Sequence, residues 1–343
     1  MKGRILVTGG LGYIGSHTIV ELLKNNYEVI CIDNLCNSSE DVIAKIEQIA
    51  HKNFVFISED LTNEHGITSA LAKYDTIDGI IHFAAYKAVG ESVKNPLKYY
   101  KNNLNTLINV LEVAQKFRAN VVFSSSCTVY GEPSILPISE DAPLAKATSP
   151  YGNTKKIGEE ILMDFKNTCD FKITSLRYFN PVGAHHSGLL GECPTDVPQN
   201  LFPILTQTAI GKIQNLTIHG DDYDTPDGTC IRDFVHVEDL AVAHINAVEY
   251  MDTSSLKYSV FNLGSGNGFS VKEVIERFIE LTGVKLNYVV GPRRDGDIVK
   301  IWASAKLAKS VLGWEPKLLL DEMILSAWNW EQQNFNKNDE NRK

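Results

Sequence analysis

The stretch "RILVTGGLGYIGSH", residues 4–17, decides how the chain folds. Ile5, Leu6 and Val7 make an apolar run suited to a parallel strand buried on both faces, and Ile14, Thr18, Ile19, Leu22 and Leu23 then recur at helical spacing. Between them lie Gly9, Gly10, Gly12 and Gly15. Glycines at such a turn permit positive φ, let a ligand approach the backbone, and let the helix pack on the strand. The helix start then offers free N–H groups and the positive end of its dipole. A strand, a glycine turn and a helix in this order suit a pyrophosphate.

The next apolar run, "YEVICIDN" (27–34), reads as a second strand ending at Asp33, 18 residues past Gly15. An acid in that place hydrogen-bonds the adenosine ribose hydroxyls in a dinucleotide fold. Asp33 would repel a 2′-phosphate, and "DNLCNSS" (33–39) carries no Arg to receive one, so the expected cofactor is NAD rather than NADP.

Strand and helix continue to alternate to about residue 180. "SSEDVIAKIEQIA" places Val42, Ile43, Ile46 and Ile49 on one helical face; "FVFISED" and "IDGIIHFAA" read as strands; "NNLNTLINVLEVAQKF" puts Leu104, Leu107, Ile108 and Leu111 on one face. "NVVFSSS", "SPYGNTKKIGEEILMDF" and "KITSLRYFN" follow as strand, helix and strand. The fold class is therefore α/β, a Rossmann-type doubly wound parallel sheet, with ligands expected beyond the carboxyl ends of its strands. From Pro181 the texture turns Gly- and Pro-rich, marking a smaller, less regular domain. The expected division is 1–180 for NAD, with returning segments near 232–263, and 181–343 for the substrate. "RDFVHVEDLAVAHINAVEY" is read there as a helix and the polar last dozen residues as frayed.

A chain of 343 residues with 43% hydrophobic and 22% charged residues is an ordinary globular protein. Its net charge of −9 argues against nucleic-acid and membrane-surface binding, which need a cationic face, and any substrate phosphate must meet locally placed arginines. Six cysteines without C-x-x-C pairing and nine histidines without metal spacing give no metal site; the thiols suit a reducing cytoplasm. His82, His236 and His244 read as structural.

Two further pieces carry chemistry. "SSSCTVYG" (124–131) places hydroxyls at the carboxyl end of a strand. In "YGNTK", Tyr151 and Lys155 are four apart and share a helix face. An ammonium near the phenol would lower its pKa toward working pH and make Tyr151 an acid/base, with Ser126 hydrogen-bonding the same substrate oxygen. A Tyr and a Lys at this spacing also arise by chance, and helical lysines are usually solvated. The pair gains weight from opening the helix after the Ser-rich strand.

TGGLGYIG, DN, HFAAYKAVGES, SSSCTVYG, YGNTK, RYFNPVGAH, RDFVHVEDLA and PRRDGD, in that order, resemble the extended short-chain dehydrogenase/reductase family over nearly the whole chain. The resemblance implies that Gly9, Gly12, Gly15, Tyr13 and Ile14 hold the NAD pyrophosphate, Asp33 and Asn34 the adenosine ribose, and Asp60 and Leu61 the adenine region. Phe83, Ala84, Lys87 and Asn102 then form the cofactor's rim, with Tyr178 near the nicotinamide. It makes Tyr151 the base, Lys155 its orienting partner and a nicotinamide-ribose contact, and Ser126 the third member. On the substrate side it implies Asn180, Asn200, Leu201, Arg232, Arg294 and Asp297 beside Ser126 and Tyr151. Arg232 and Arg294 also make physical sense as planar cationic forks for a diphosphate.

The activity so implied is C4 epimerisation between UDP-galactose and UDP-glucose through a 4-keto sugar on retained NAD, in galactose metabolism and the supply of sugars for polysaccharide. The implied assembly is a homodimer built on segments 100–117 and 151–167. Ile301 stands where relatives carry Tyr, or a small residue when N-acetylated sugars are admitted, which keeps UDP-GlcNAc/GalNAc in play. His186 replaces a common Pro and His219 an aromatic. A 4,6-dehydratase would need an Asp-Glu pair where this chain has Cys127 and Thr128, and a non-catalytic NAD-binding protein would have no use for Ser126, Tyr151 and Lys155 together.

Overall fold

The run Ile5-Leu6-Val7 lies in β1 (Arg4–Thr8), each residue no more than 1% exposed. Side chains alternate across a strand, so Ile5 and Val7 join one core and Leu6 the other. In this computed structural model residues 2–194, 197–294 and 296–340 are described, side chains through Phe335. After β1 come helix α1 (Tyr13–Lys24), β2 (Glu28–Asp33), α2 (Asp41–Ala50), β3 (Val55–Ser58), α3 (Glu64–Leu71) and β4 (Gly79–His82). Then follow α4 (Val89–Lys94), α5 (Pro96–Phe117), β5 (Asn120–Ser126), α6 (Pro150–Phe165) and β6 (Ile173–Tyr178).

The chain continues through β7 (Asn180–Val182), α7 (Leu201–Ala209), β8 (Leu216–His219), β9 (Ile231–His236), α8 (Val237–Thr253) and β10 (Tyr258–Leu263). Seven parallel strands pair in the order β10-β6-β5-β4-β1-β2-β3, so the strand order reverses between β1 and β4. A crevice forms at such a switch point. Helices α1, α2 and α8 bury their apolar faces on one side of the sheet, and α3, α5 and α6 on the other.

The long segment read as one helix divides at His236. Arg232 to His236 form part of β9, and α8 starts at Val237 with the His236 ring as its cap, Nδ1 accepting the Glu238 N–H at 3.1 Å. Of the segment 232–263, β9 therefore stays outside the large sheet, while α8 and β10 return to it. On α5, Leu107 and Leu111 face the sheet with Val110 and Ala114, whereas Ile108 points outward, because the stripe drawn from the sequence is offset from the buried one.

The second lobe adds β11 (Gly268–Ser270), α9 (Val271–Thr282), β12 (Tyr288–Gly291), β13 (Lys300–Ile301) and α10 (Leu320–Glu340). β9 is flanked by β7, β11 and β13, and β8 pairs with β12. Its core gathers Phe202, Leu205, Phe234, Phe278, Met323 and Ile324. α10 runs through Glu340, into the tail expected to fray; residues 341–343 lie outside the described residues. A small cluster including Cys127, Val129, Phe179, Ile298 and Ile301 packs the end of β5 against β13.

Candidate active site

The glycine turn is built by sterics. Gly9 takes φ +68°, and a Cβ on it would lie 2.7 Å from the Ala84 nitrogen, so the turn leans on the backbone after β4. A Cβ on Gly15 would stand 2.5 Å from Gly9 O, which lets α1 press on the turn. Gly12 is different: a Cβ there meets only Gly9 O, at 3.2 Å. Its outer side is open, and Gly12 has no side chain with which to cap the start of α1. That cradle and its free N–H groups fit a pyrophosphate. Tyr13 in the first turn donates to Gly183 O at 2.6 Å, and Ile14 packs on the adjacent core.

Asp33 ends β2 under this turn. Its carboxylate accepts from Leu11 N (3.1 Å) through Oδ2 and from Leu35 N (2.9 Å) and Ser38 Oγ (3.0 Å) through Oδ1. Oδ2 keeps acceptor capacity for a sugar hydroxyl. Asn34 Nδ2 donates to Asp60 at 2.9 Å. Burial works to raise Asp60, but bonds from Thr62 and Asn34 outweigh it and hold the carboxyl below its ordinary range. Leu61 is buried and its carbonyl receives Asn109 Nδ2 at 2.8 Å. The Phe83 ring lies 4.8 Å from His244, Asn102 donates to Asn103 at 3.0 Å, and Lys87 pairs with Glu192 at 3.0 Å.

β5 delivers Ser126 to the crevice, and a short helical turn, Cys127–Tyr130, reverses the chain. Ser126 Oγ accepts from Thr128 N (3.2 Å) and Thr128 Oγ1 (3.0 Å), which leaves its own proton free to be donated. α6 opens with Pro150 after Ser149, whose hydroxyl accepts from Gly152 N at 3.1 Å, so Tyr151 stands in the first turn. Burial pushes its phenol up to about 12, a hydrogen bond with Ser126 pulls it down, and nearby Cys127 adds to the rise. Lys155 is buried, donates to Ser124 O (2.6 Å) and Ser124 Oγ (3.2 Å), and burial lowers it to about 7. The expected lowering of Tyr151 by Lys155 is therefore not met in this arrangement: the amine is turned to Ser124, and desolvation governs the phenol.

Tyr178, at the end of β6, approaches His244 Nε2 at 2.5 Å, while His244 Nδ1 is 2.8 Å from Leu240 O. The carbonyl takes the ring proton, so Nε2 accepts from the phenol. His82 contacts Thr8 Oγ1 at 2.8 Å, and His236 Nε2 contacts Ser326 Oγ at 3.0 Å.

The second lobe carries the remaining residues. Asn180 Nδ2 donates to Asp233 O at 2.7 Å. Asn200 precedes α7, with its side chain turned to Glu192 Oε1 (2.8 Å), and Leu201 packs on the second-lobe core. Asp297 gathers both arginines: Arg294 Nε at 3.0 Å and Arg232 NH2 at 3.5 Å. Ile301, 2% exposed, pairs in register with Arg232 and packs in the cluster that holds Cys127.

Three residues passed over in the sequence hold these groups. Glu192 bridges Lys87 to Asn200, one from each lobe. Asp233 accepts from Ser265 N and Oγ, Gly266 N and Ala303 N, tying β9 to the strands on either side; burial raises it to about 6 against those bonds. Asn103 ties Tyr86 to Thr154 on α6. The only signal in the sequence was their place inside or beside quoted motifs, since each acts through partners distant in the chain.

Over residues 6–326 the chain matches the family described as GDP-mannose 4,6 dehydratase. It is 46% identical over 335 residues to the UDP-glucose 4-epimerase of Bacillus subtilis, covering 97% of this chain and 98% of that protein. The UDP-glucose 4-epimerase of Bifidobacterium longum, solved in complex with NAD+ and UDP, superposes with a TM-score of 0.93 at 44% identity, over 97% of this chain and 99% of that one. The UDP-Glc/GlcNAc 4-epimerase of Campylobacter jejuni gives 0.83 at 40%, over 96% and 99%.

Proposed function

The chain belongs to the UDP-glucose 4-epimerases of the extended short-chain dehydrogenase/reductase family, and on that premise we propose that it interconverts UDP-galactose and UDP-glucose with NAD as its resident cofactor. The glycine cradle at Gly9, Gly12 and Gly15, the uncapped start of α1 and Asp33 fit the dinucleotide. Lys87, Asn102 and Tyr178 complete its binding site. The NAD-binding unit is 1–180 with 237–263, and the rest of the chain holds the UDP-sugar.

Tyr151 takes the proton of the hexose 4-hydroxyl and returns it to the 4-oxygen of the product. Ser126 hydrogen-bonds that oxygen, oriented for it by Thr128. Lys155, anchored on Ser124, holds the nicotinamide ribose and supplies positive charge beside Tyr151 when protonated. NAD+, when bound, supplies a reversible hydride acceptor for C4, so that a 4-keto sugar tethered by its UDP can be reduced again from the other face with no net oxidation. Arg232, Arg294 and Asn200 grip the diphosphate, leaving the hexose loosely held enough to turn.

One observation carries the choice of epimerisation over dehydration. The positions that would need carboxylates hold Cys127, buried and pushed up to about 12 by that burial, and Thr128, whose hydroxyl is committed to Ser126. Neither can act as the acid of an elimination.

The enzyme acts as a homodimer. Val93, Leu97, Ile108 and Met163 expose apolar side chains on the neighbouring helices α4, α5 and α6, a face a second copy would cover. A cytoplasmic location suits its free cysteines, and among the described residues no helix is long and apolar enough to cross a membrane.

The test is to give the purified protein UDP-galactose with no added cofactor and follow the anomeric protons by NMR. UDP-glucose should accumulate. No conversion, even after NAD+ is added, would refute the proposal.

A further inference from the structure

A second cluster of ionisable side chains lies where the loop after β7 meets the start of α8. One ligand atom each from His185, His186 and Glu238 lies within 4.8 Å of the others. His185 Nε2 is 3.4 Å from Glu238 Oε1, the separation between ligands that tetrahedral bonds of about 2.0–2.1 Å require. His186 Nδ1 is 2.7 Å from the same oxygen, and its exposed ring can swing to open that distance.

His185 is 2% exposed, and its Nε2 makes no hydrogen bond. His185 Nδ1 accepts the Ser187 N–H at 3.2 Å and lies 2.8 Å from Ser187 Oγ, so a metal on Nε2 requires the ring proton to shift to Nδ1, where that hydroxyl oxygen receives it. Behind it, His17 on α1 is buried with an unpartnered Nε2, its ring centre 6.1 Å from that of His185. None of these atoms serves the epimerisation.

We propose that His185, His186 and Glu238 form a binding site for one divalent transition-metal ion, zinc in the first instance. Two imidazoles and a carboxylate match zinc, cobalt, nickel or copper, and leave a position for water. The ion cross-links the loop after β7 to α8. That loop also receives Tyr13 of the cofactor turn at Gly183 O, so the metal stiffens the seat of the dinucleotide and adds stability rather than rate.

The test uses the cofactor-loaded protein with Cys36→Ser and Cys193→Ser, which remove the exposed thiols as rival ligands. Cobalt(II) should bind one equivalent with visible ligand-field bands and no thiolate charge-transfer band, zinc should displace it, and the unfolding temperature should rise with metal. His186→Ala, at an exposed position, and Glu238→Gln should each weaken binding by more than about tenfold and abolish that rise, with kcat unchanged in His186→Ala. No cobalt binding, or binding that His186→Ala leaves intact, would overturn the proposal.

Discussion

The Arg177 guanidinium and the Glu159 carboxylate meet in two parallel bonds, Nε to Oε1 at 2.9 Å and NH2 to Oε2 at 2.6 Å, both side chains nearly sealed from water. Ser125 Oγ donates to the same carboxylate at 2.5 Å, and Arg177 NH1 reaches Tyr130 OH at 2.8 Å. Tyr130 passes its proton on to Asn262 at 2.6 Å. The network joins β5, β6, β10 and the turn after Ser126 to α6, two helical turns from Tyr151. Leaving one buried charge unpaired costs about 3–5 kcal/mol, so Arg177→Met should lower unfolding free energy by that amount in urea titrations. The double variant Glu159→Leu/Arg177→Met should lose less than Arg177→Met alone, since no orphan charge remains.

Tyr151→Phe removes the proposed proton carrier and leaves the glycine cradle untouched. Turnover should drop by about 10²–10⁴-fold, the range for a lost general acid/base, with NAD content per protein, read by absorbance after denaturation, unchanged. Equal turnover would remove Tyr151 from the mechanism.

The glycines separate steric roles. Gly9→Ala forces a Cβ against the Ala84 backbone and should reduce both stability and cofactor content. Gly12→Ala meets only Gly9 O at 3.2 Å within the protein, so its apo form should melt near the wild-type temperature while NAD content falls. Thermal melts with and without cofactor distinguish the two.

These positions also show how far the sequence could be read. The turn, Asp33, Ser126 and Tyr151 are local patterns, a strand end plus a spacing, and local patterns are visible in one dimension. Lys155 was visible as a helical neighbour of Tyr151, but its bond to Ser124, 31 residues away, was not. Phe234 and Val235 fit either the helical or the strand period over so short a run, and pairing with β7, β11 and β13 makes the segment strand β9. The His185–His186–Glu238 cluster has no metal spacing in sequence; the fold alone brings α8 to it.

Five buried histidines set the acid limit. Burial holds His17 and His244 down at about 4, and His82, His185 and His236 at about 3, against about 6.5 in the unfolded chain. Above pH 6.5 both states are neutral and the stability is intact. As pH falls from 6.5 toward 4 only the unfolded chain takes up these protons, so each histidine removes about 1.4 kcal/mol per pH unit. Unfolding at pH 5 should take up about five protons from this group; unfolding free energy that stays flat from pH 6.5 to 5 would contradict it.

Ile301 tests sugar specificity. It is 2% exposed and shares an apolar cluster with Cys127, the residue after Ser126. Ile301→Cys should raise the UDP-GalNAc rate relative to UDP-galactose and Ile301→Tyr should lower it, both read as kcat/KM ratios.

In the proposed reaction, hydride leaves C4 and returns to the same carbon without meeting solvent. The most direct measurement gives the purified enzyme UDP-galactose deuterated at C4 in ordinary water and follows the label by NMR and mass spectrometry. Retention of deuterium at C4 of the UDP-glucose formed is the expected result. Loss of the label to water during epimerisation would contradict the account.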